Sequence, residues 1–454
     1  MRNSISVLVV VFSAVCVGRG QQAASQPAQQ PASASDVATL QQQVRDLEDR
    51  VVMLEGQIRQ IKAQAAPAPA TQPAVAPSLP PGAAPPQGQV AVSEGAAGVV
   101  PSAQEQVRLG GAGASAAKAL NPDISMIGDF IASAGHNPVL STPSFQMHES
   151  ELGVQAIIDP YARGDFFLSF GEEGVNLEEG YITFTALPDS FVAKTGKMRA
   201  AFGKVNTMHN HVLPWVDRPL VTQNLVGGED GIDDAGVSVQ RILPAPKNWF
   251  LEFTGQGFRG DSSDVFHAST KSDLSVVGHL RSYKDITDNS NIDLGISYSR
   301  GHNLFGTGFI TQLYGIDATY RWKPLRRSIY HSFVARSEFI WRQQNQPNSL
   351  NICTTILCPA NFAPGFQRAF GFYTSADYQL ARRWFVGGRA DDSDRAFNAH
   401  LNDKGGSLVL TYWPSEFSQI RGQYRFTRYA GNMDANELLM QVQFSLGAHG
   451  AHPF

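Results

Sequence analysis

The residues with the clearest potential for chemistry are charged side chains in two groups. One group, Glu229, Asp230, Asp233 and Asp234, ends a long segment at residues 201–234. The other group is basic and comprises Lys194, Lys197, Lys204, Arg281, Arg321, Arg336, Arg342, Arg421 and Arg425. If the two groups face each other across a wet passage, they create a transverse field that selects polar or charged solutes. Taken singly, each charge is more typical of a solvated surface.

Two histidine pairs are candidates for a metal site. His209 and His211 have one residue between them, while His449 and His452 stand three positions apart. Either pair would need further ligands to hold a metal such as zinc. Because no Cys, Asp or Glu stands beside either pair at a recurring ligand spacing, we predict no metal site and no cofactor.

The three cysteines divide between two regions. Cys16 lies in the N-terminal leader, and Cys353 and Cys358 lie close together in a predicted loop. In an oxidising compartment the loop pair closes a small disulfide, which is our prediction, and two free loop thiols are the alternative.

The first twenty residues indicate export. Arg2 precedes an apolar run, and Gly18 and Gly20 supply small residues near a cleavage site, so residues 1–20 are predicted to be a signal peptide. Beyond them no stretch approaches the ~18 to 20 apolar residues of a transmembrane helix. A membrane form of the mature chain would therefore be a barrel. The net charge of -4 argues against nucleic acid as a partner.

Two segments separate this leader from the rest. Residues 37–63 carry apolar side chains at alternating spacings of three and four, which predicts a coiled coil, with a lone amphipathic helix as the alternative. The seam consists of Val37, Leu40, Val44, Leu47, Val51, Leu54, Ile58 and Ile61. Residues 64–118 are rich in Pro and Ala and predict a disordered linker.

Residues 119–454 consist of short segments in which apolar and polar side chains alternate. In residues 290–300, for example, Leu294 and Ile296 fall on one face and Asp293 and Ser297 on the other. Such segments, broken by turn residues, predict a lipid-facing wall around a wet lumen. We predict sixteen strands, beginning near residues 123, 146, 162, 177, 191, 235, 248, 273, 290, 311, 329, 367, 383, 404, 418 and 435.

The lengths of the connections between the predicted strands favour one kind of all-β fold, a transmembrane barrel. Every even-to-odd junction is short, and the odd-to-even junctions are mostly longer and more polar. The predicted fold is a 16-stranded antiparallel transmembrane β-barrel, preceded by a short coiled-coil helix and a disordered linker. The six Trp residues, mostly near strand ends, are predicted to form interfacial girdles. A soluble β-sandwich is the alternative, because its strands also alternate.

Three stretches carry a resemblance to a known family. They are residues 121–125, the segment containing His209, His211 and Gly228–Gly231, and the tail at residues 447–454. They resemble porins related to the phosphate-selective porin O and P family, and some similar sequences are labelled zinc-regulated outer-membrane receptors. The resemblance implies a trimeric sixteen-stranded channel for small anions or other polar solutes. The 201–234 segment lacks the dense lysine cluster of a dedicated phosphate site.

These observations predict an outer-membrane porin, a passive diffusion channel for small hydrophilic solutes or ions, anions among them, with the 201–234 loop as constriction. The sequence leaves open whether the basic wall or the loop carboxylates set the ion selectivity. Its partners would be outer-membrane lipids, small polar solutes and further copies of the chain, a trimer being favoured. The coiled coil and linker would lie in the periplasm.

Four other functions are alternatives to a porin. An enzyme is disfavoured because the sequence has no Gly-x-Ser-x-Gly elbow. A TonB-dependent receptor is also disfavoured, because it needs a barrel of about 22 strands and a folded plug ahead of it, for which the Pro/Ala-rich linker leaves no room. An envelope tether, which links the outer membrane to the cell wall through the coiled coil, and a metal-related outer-membrane receptor stay open.

Overall fold

A computed structural model describes residues 122–140, 142–172, 174–262, 264–350, 358–359 and 362–447. The predicted signal peptide, coiled coil and linker lie outside these ranges. So do Cys16, Cys353, His449 and His452.

The described residues form a closed antiparallel barrel of sixteen strands, in which each strand pairs with its neighbours in sequence and β1 pairs with β16. The strands are β1 (Asp123–His136), β2 (Phe145–Asp159), β3 (Ala162–Gly171), β4 (Gly174–Phe184), β5 (Phe191–Arg199), β6 (Asp233–Ile242), β7 (Phe250–Phe258), β8 (Ser275–Thr287), β9 (Ser290–Asn303), β10 (Gly306–Trp322), β11 (Phe333–Gln344), β12 (Gln367–Ala381), β13 (Trp384–Arg395), β14 (Asn398–Ser415), β15 (Ser418–Tyr429) and β16 (Met433–Gly447). The predicted fold class is confirmed.

The alternation of side chains decides which face of each strand points outward. On β9 Leu294 and Ile296 are exposed, while Asp293 and Ser297 are buried inside the barrel. The same division holds on β16, where Leu438 and Met440 are exposed and Gln441 is buried. Because successive strand residues point to opposite faces, this pattern gives an apolar outer surface and a polar interior.

Only one α-helix, α1 (Leu220–Leu225), and three 3-10 turns interrupt the strands in the described part of the chain. None of these helical segments has the length and apolar character of a membrane-spanning helix.

The connections differ between the two ends of the barrel, though less than predicted. All even-to-odd connections are short, the longest being residues 323–332. Four odd-to-even connections are long, at residues 137–144, 200–232, 259–274 and 345–366, but the other four are tight turns. The prediction that most would be long is wrong because the later strands continue beyond their apolar segments. For example, β14 begins at Asn398 rather than near residue 404.

The tryptophans do not all lie at the membrane interface. Trp249, Trp341 and Trp384 are exposed on the barrel, in keeping with the predicted girdles. Trp215 and Trp413 are buried, and Trp215 lies in the long connection between β5 and β6. The prediction is wrong for these two residues, because Trp215 packs inside the barrel, where its ring contacts Tyr373.

Candidate functional site

The connection between β5 and β6, residues 200–232, is named the lumen loop. It contains the 3-10 turns Val205–Thr207 and Asn210–Val212 as well as α1. Its residues bond to strands on different sides of the barrel: Asn210 donates to Glu149 on β2, and the Val216 amide donates to Gln423 on β15. Since these strands line one closed wall, the lumen loop lies inside the barrel.

The lumen loop carries its own apolar core into a polar interior. Trp215 is fully buried, with its ring 5.2 Å from the ring of Tyr373 and 4.9 Å from the guanidinium of Arg389. The buried loop residues of this core are Phe202, Val205, Met208, Leu213, Trp215, Val221, Leu225, Val226 and Ile232. Removing this much apolar surface from water makes the loop a fixed part of the fold.

The first turn of the lumen loop is held by Glu338 on β11. One oxygen of its carboxylate accepts hydrogen bonds from the backbone amides of Lys204 and Val205, both at 2.7 Å. Beside them the amide of Gly203 donates to Ser297 on β9 at 2.9 Å. A carboxylate that binds two backbone N–H groups fixes the direction in which the chain enters the lumen.

The middle of the lumen loop is held by Asp217. Its carboxylate accepts hydrogen bonds from Arg389 on β13 at 3.0 Å and from Arg425 on β15 at 2.9 Å. Burial alone would raise the pKa of Asp217, but the charges of these two arginines outweigh it and lower the pKa to about 2. The carboxylate is therefore charged near neutral pH.

Arg218 ties the lumen loop to itself. Its guanidinium donates to the carbonyls of Val205 and Met208 and to the side chain of Asn210. Burial and the nearby charge of Arg199 lower the pKa of Arg218 to about 10, so it stays charged near neutral pH. Neither Arg218 nor Arg389 was among the predicted site residues. For Arg389, its spacing of two from Asp391 on one strand face was the available signal.

Three of the predicted basic residues anchor the lumen loop instead of lining open space. Arg342 donates to the Leu225 carbonyl at the end of α1, and Arg421 donates to the Trp215 carbonyl, both at 3.1 Å. Arg425 binds Asp217 and Glu437. All three are buried. Their predicted role as charges exposed to solute is wrong, because the loop covers them.

Four of the other six predicted basic residues, Lys204, Arg281, Arg321 and Arg336, line a cavity of about 1080 Å³, named the vestibule, at the end of the barrel that carries the short turns. The remaining two lie elsewhere: Lys194 lies over the ring of Tyr181, and Lys197 pairs with Asp233. Lys204, Thr207 and Met208 of the lumen loop form its inner limit. Of the described residues that line it, one is acidic, Glu416, and seven are basic: Lys204, Arg281, Arg321, Lys323, Arg336, Arg382 and Arg383.

Two carboxylates behind the vestibule wall hold part of this basic set in place. Asp293 lies 3.0 Å from Arg281 and 3.3 Å from Lys204, and Asp377 lies 2.5 Å from Arg336. Together with Glu416 these make three carboxylates against seven basic residues, so basic side chains predominate in the vestibule.

The four predicted carboxylates do not face this basic surface. Asp233 pairs with Lys197 at 2.9 Å, and Asp234 accepts hydrogen bonds from the amides of Gly260 and Asp261. Glu229 lies 3.6 Å from His148, and Asp230 is exposed. None of the four is found among the described residues of the vestibule. The predicted opposition of an acidic loop and a basic wall is wrong, because these groups pair locally where the loop rejoins β6.

The strands β2 and β4 supply a different acidic surface, whose residues were not among the predicted site residues. The group formed by Glu149, Glu151, Glu178 and Glu179 is named the glutamate cluster, and it surrounds His209 of the lumen loop. The imidazole Nδ1 lies 2.6 Å from Glu151 and 2.9 Å from Glu178, and Nε2 lies 3.0 Å from Glu179. His211 lies beside the same group, 3.5 Å from Glu151. The sequence gives no local signal for this cluster, because its members lie on two strands, β2 and β4, and the histidines that they surround lie in the lumen loop.

Cys358 is disulfide-bonded. Its predicted partner, Cys353, lies outside the described residues, so the pairing of these two cysteines stays a prediction.

No family model matches the sequence. An "Uncharacterized protein" of Aquifex aeolicus (strain VF5) is 28% identical over 356 residues, which cover 70% of this chain and 72% of that protein. Among solved structures, an anion-selective porin from Comamonas acidovorans aligns with a TM-score of 0.49 at 10% identity, covering 72% of this chain and 99% of that one. The outer membrane channel DcaP of Acinetobacter baumannii aligns with a TM-score of 0.47 at 10% identity, covering 72% and 97%.

Proposed function

We propose that this protein is an outer-membrane porin, a passive diffusion channel for small hydrophilic solutes that favours anions. The observation that carries the proposal is the vestibule, in which seven basic residues and one acidic residue line a cavity of about 1080 Å³ inside a closed barrel. Clustered charge of one sign raises the local concentration of the opposite ion and selects between ions in wide pores.

The outer surface of the barrel supports a membrane location. Exposed apolar side chains recur on strands around the barrel, for example Val239 on β6, Ile316 on β10 and Leu410 on β14. A soluble protein would not expose an apolar band of this extent, whereas a barrel buries it in lipid. The outer membrane is the location that this architecture favours.

The lumen loop is the proposed constriction. It crosses the interior and is bonded to β2, β11, β13 and β15, so solutes would have to pass beside it. Its end at the vestibule bears Lys204, which would make the constriction positive on that side. The barrel wall, with Arg281 and Arg321, would supply the rest of the selectivity.

The test is single-channel recording of the purified full chain in a planar bilayer, with a salt gradient across it. Stepwise openings, with a reversal potential that indicates preferential anion flow, are expected. A folded and inserted barrel that never conducts would contradict the channel, while stepwise openings with cation preference would contradict only the proposed selectivity.

We also propose that the chain forms a trimer, the state that the resemblance to the porin family implies. Native mass spectrometry of the detergent-solubilised full chain would give the number of subunits, and a monomer would contradict the proposal. Contact with the cell wall through the coiled coil stays a prediction, since that segment lies outside the described residues.

A further inference from the structure

The glutamate cluster and the two loop histidines bring several metal-binding atoms together. The ligand atoms of Glu151, His209 and His211 all lie within 4.8 Å of one another, as do those of Glu149, Glu151 and Glu178. All of these residues are buried. His209 and His211 come from the lumen loop, whereas the glutamates come from β2 and β4.

The hydrogen bonds among the described residues leave two buried polar atoms of this group without a partner. His211 is only 8% exposed, and its Nδ1 has no hydrogen-bond partner in the described part of the chain, although it lies 3.5 Å from a Glu151 oxygen. One Glu149 oxygen is likewise buried and unpaired among the described residues. Buried polar atoms are nearly always paired, so two orphans in one cluster point to a missing ligand.

The protons available at His209 cannot serve all of its neighbours. Its Nδ1 carries at most one hydrogen, yet carboxylate oxygens of Glu151 and Glu178 lie 2.6 Å and 2.9 Å from it. Four glutamates surround a site in which Arg199 is the cation paired with Glu178. A buried group of carboxylates is stabilised by further positive charge, which a protonated His209 or a bound cation would supply.

Two β-bulges aim side chains at this part of the lumen. The register between β3 and β4 shifts at Phe167 and Leu168, which leaves Glu178 as an extra residue, so that Glu178 and Glu179 both point inward. A second shift, between β1 and β2, leaves His148 as an extra residue beside Asp129. Bulges are over-represented where a strand must re-aim a side chain next to a functional site.

We propose that His209, His211 and Glu151 bind one divalent first-row transition-metal ion such as zinc, which ties the lumen loop to β2. In a tetrahedral zinc site with bonds of ~2.0–2.1 Å the ligand atoms stand about 3.3 Å apart. The Glu151 oxygen lies 2.6 Å from the Nδ1 of His209 and 3.5 Å from the Nδ1 of His211, on either side of that value. The two imidazoles favour a transition metal over Ca²⁺ or Mg²⁺, which prefer oxygen ligands alone.

The site does not depend on conduction, so its test is separate from that of the channel. The purified full chain in detergent is treated with EDTA, dialysed and titrated with Zn²⁺ by calorimetry, with Mg²⁺ titrated in parallel. We expect one Zn²⁺ per chain and no comparable Mg²⁺ binding. Co²⁺ in place of Zn²⁺ should give the visible absorption of a tetrahedral complex with nitrogen and oxygen ligands.

Matched variants assign the site. The double variant His209→Ala/His211→Ala should lose this binding, whereas His449→Ala/His452→Ala, which removes the other histidine pair, should keep it. If the first variant does not fold, Glu151→Gln, which keeps the side-chain volume, should weaken zinc binding by at least about tenfold. Folded wild-type protein that binds no zinc, or binding lost only in the tail variant, would overturn the proposal and leave the cluster as a network of ion pairs.

Discussion

Arg389 binds Asp217 at two points. Its guanidinium donates to the carboxylate at 3.0 Å and to the backbone carbonyl of the same residue at 2.8 Å. Arg389 also pairs with Asp391 on its own strand at 2.7 Å. The lumen loop is therefore joined to β13 through a buried, charge-assisted contact, and a change at Asp217 should be felt along the loop.

Substitution of Asp217 by Ala should loosen the lumen loop. The change removes one partner from each of two buried guanidinium groups, those of Arg389 and Arg425. Since these arginines keep their other partners, Asp391 and Glu437, we expect the docked loop to be destabilised by about 3 kcal/mol. Hydrogen exchange followed by mass spectrometry should show faster exchange of loop amides, with the strand amides unchanged. Asp230→Ala, at an exposed position of the same loop, is the control, and equal exchange in both variants would contradict this role.

Acid should loosen the same contact over a defined range of pH. The pKa of Asp217 is lowered from 3.8 to about 2, so its charge favours the docked loop by about 2 kcal/mol above pH ~4. This contribution is lost as the pH falls from about 4 to about 2, where the carboxylate gains a proton. Loop exchange, corrected for the intrinsic rate, should rise over that interval in the wild type and much less in Asp217→Asn. Parallel curves for the two proteins would refute the assignment.

Gly231 and Gly228 offer a matched test of how the lumen loop closes. Both have positive φ, +64° and +71°, so Ala costs about 1 kcal/mol of backbone strain at either. A Cβ at Gly231 would also lie 2.1 Å from the Asn206 oxygen that accepts a hydrogen bond from the Ile232 amide. At Gly228 no atom lies within 4 Å of such a Cβ.

We therefore expect Gly231→Ala to destabilise loop docking by at least about 2 kcal/mol and Gly228→Ala by about half as much. Susceptibility of the loop to limited proteolysis would rank the two variants. Equal susceptibility would mean that the Asn206 contact contributes little.

Neutralising the vestibule should move the channel toward cations. In the double variant Arg321→Gln/Arg336→Gln, the carboxylates of Asp293 and Asp377 lose arginine partners, so less of their negative charge is neutralised beside the cavity. The ratio of anion to cation permeability, from the reversal potential, should fall roughly two- to threefold. Arg368→Gln, on the exposed side of β12 beside Phe366, should leave the ratio unchanged. A shift of the same size in both variants would show that the vestibule does not set selectivity.

The sixteen strands could be predicted because the alternation of apolar and polar side chains that marks a strand depends only on the residues of that strand. Alternation with a period of two puts Leu294 outward and Asp293 inward on β9 wherever that strand sits in the barrel. The boundaries were less certain, as at β14, because ladder pairing continues into polar residues that carry no apolar signal.

The sequence by itself determined the barrel, the long connection at residues 201–234 and four of the seven basic side chains that line the vestibule. Only the tertiary structure decided that this segment enters the lumen, that Arg342, Arg421 and Arg425 anchor it, and that His209 meets Glu151 and Glu178. The physical reason is range: strand periodicity is set by neighbours along the chain, whereas these contacts depend on how a closed barrel brings distant strands and a long loop to the same point.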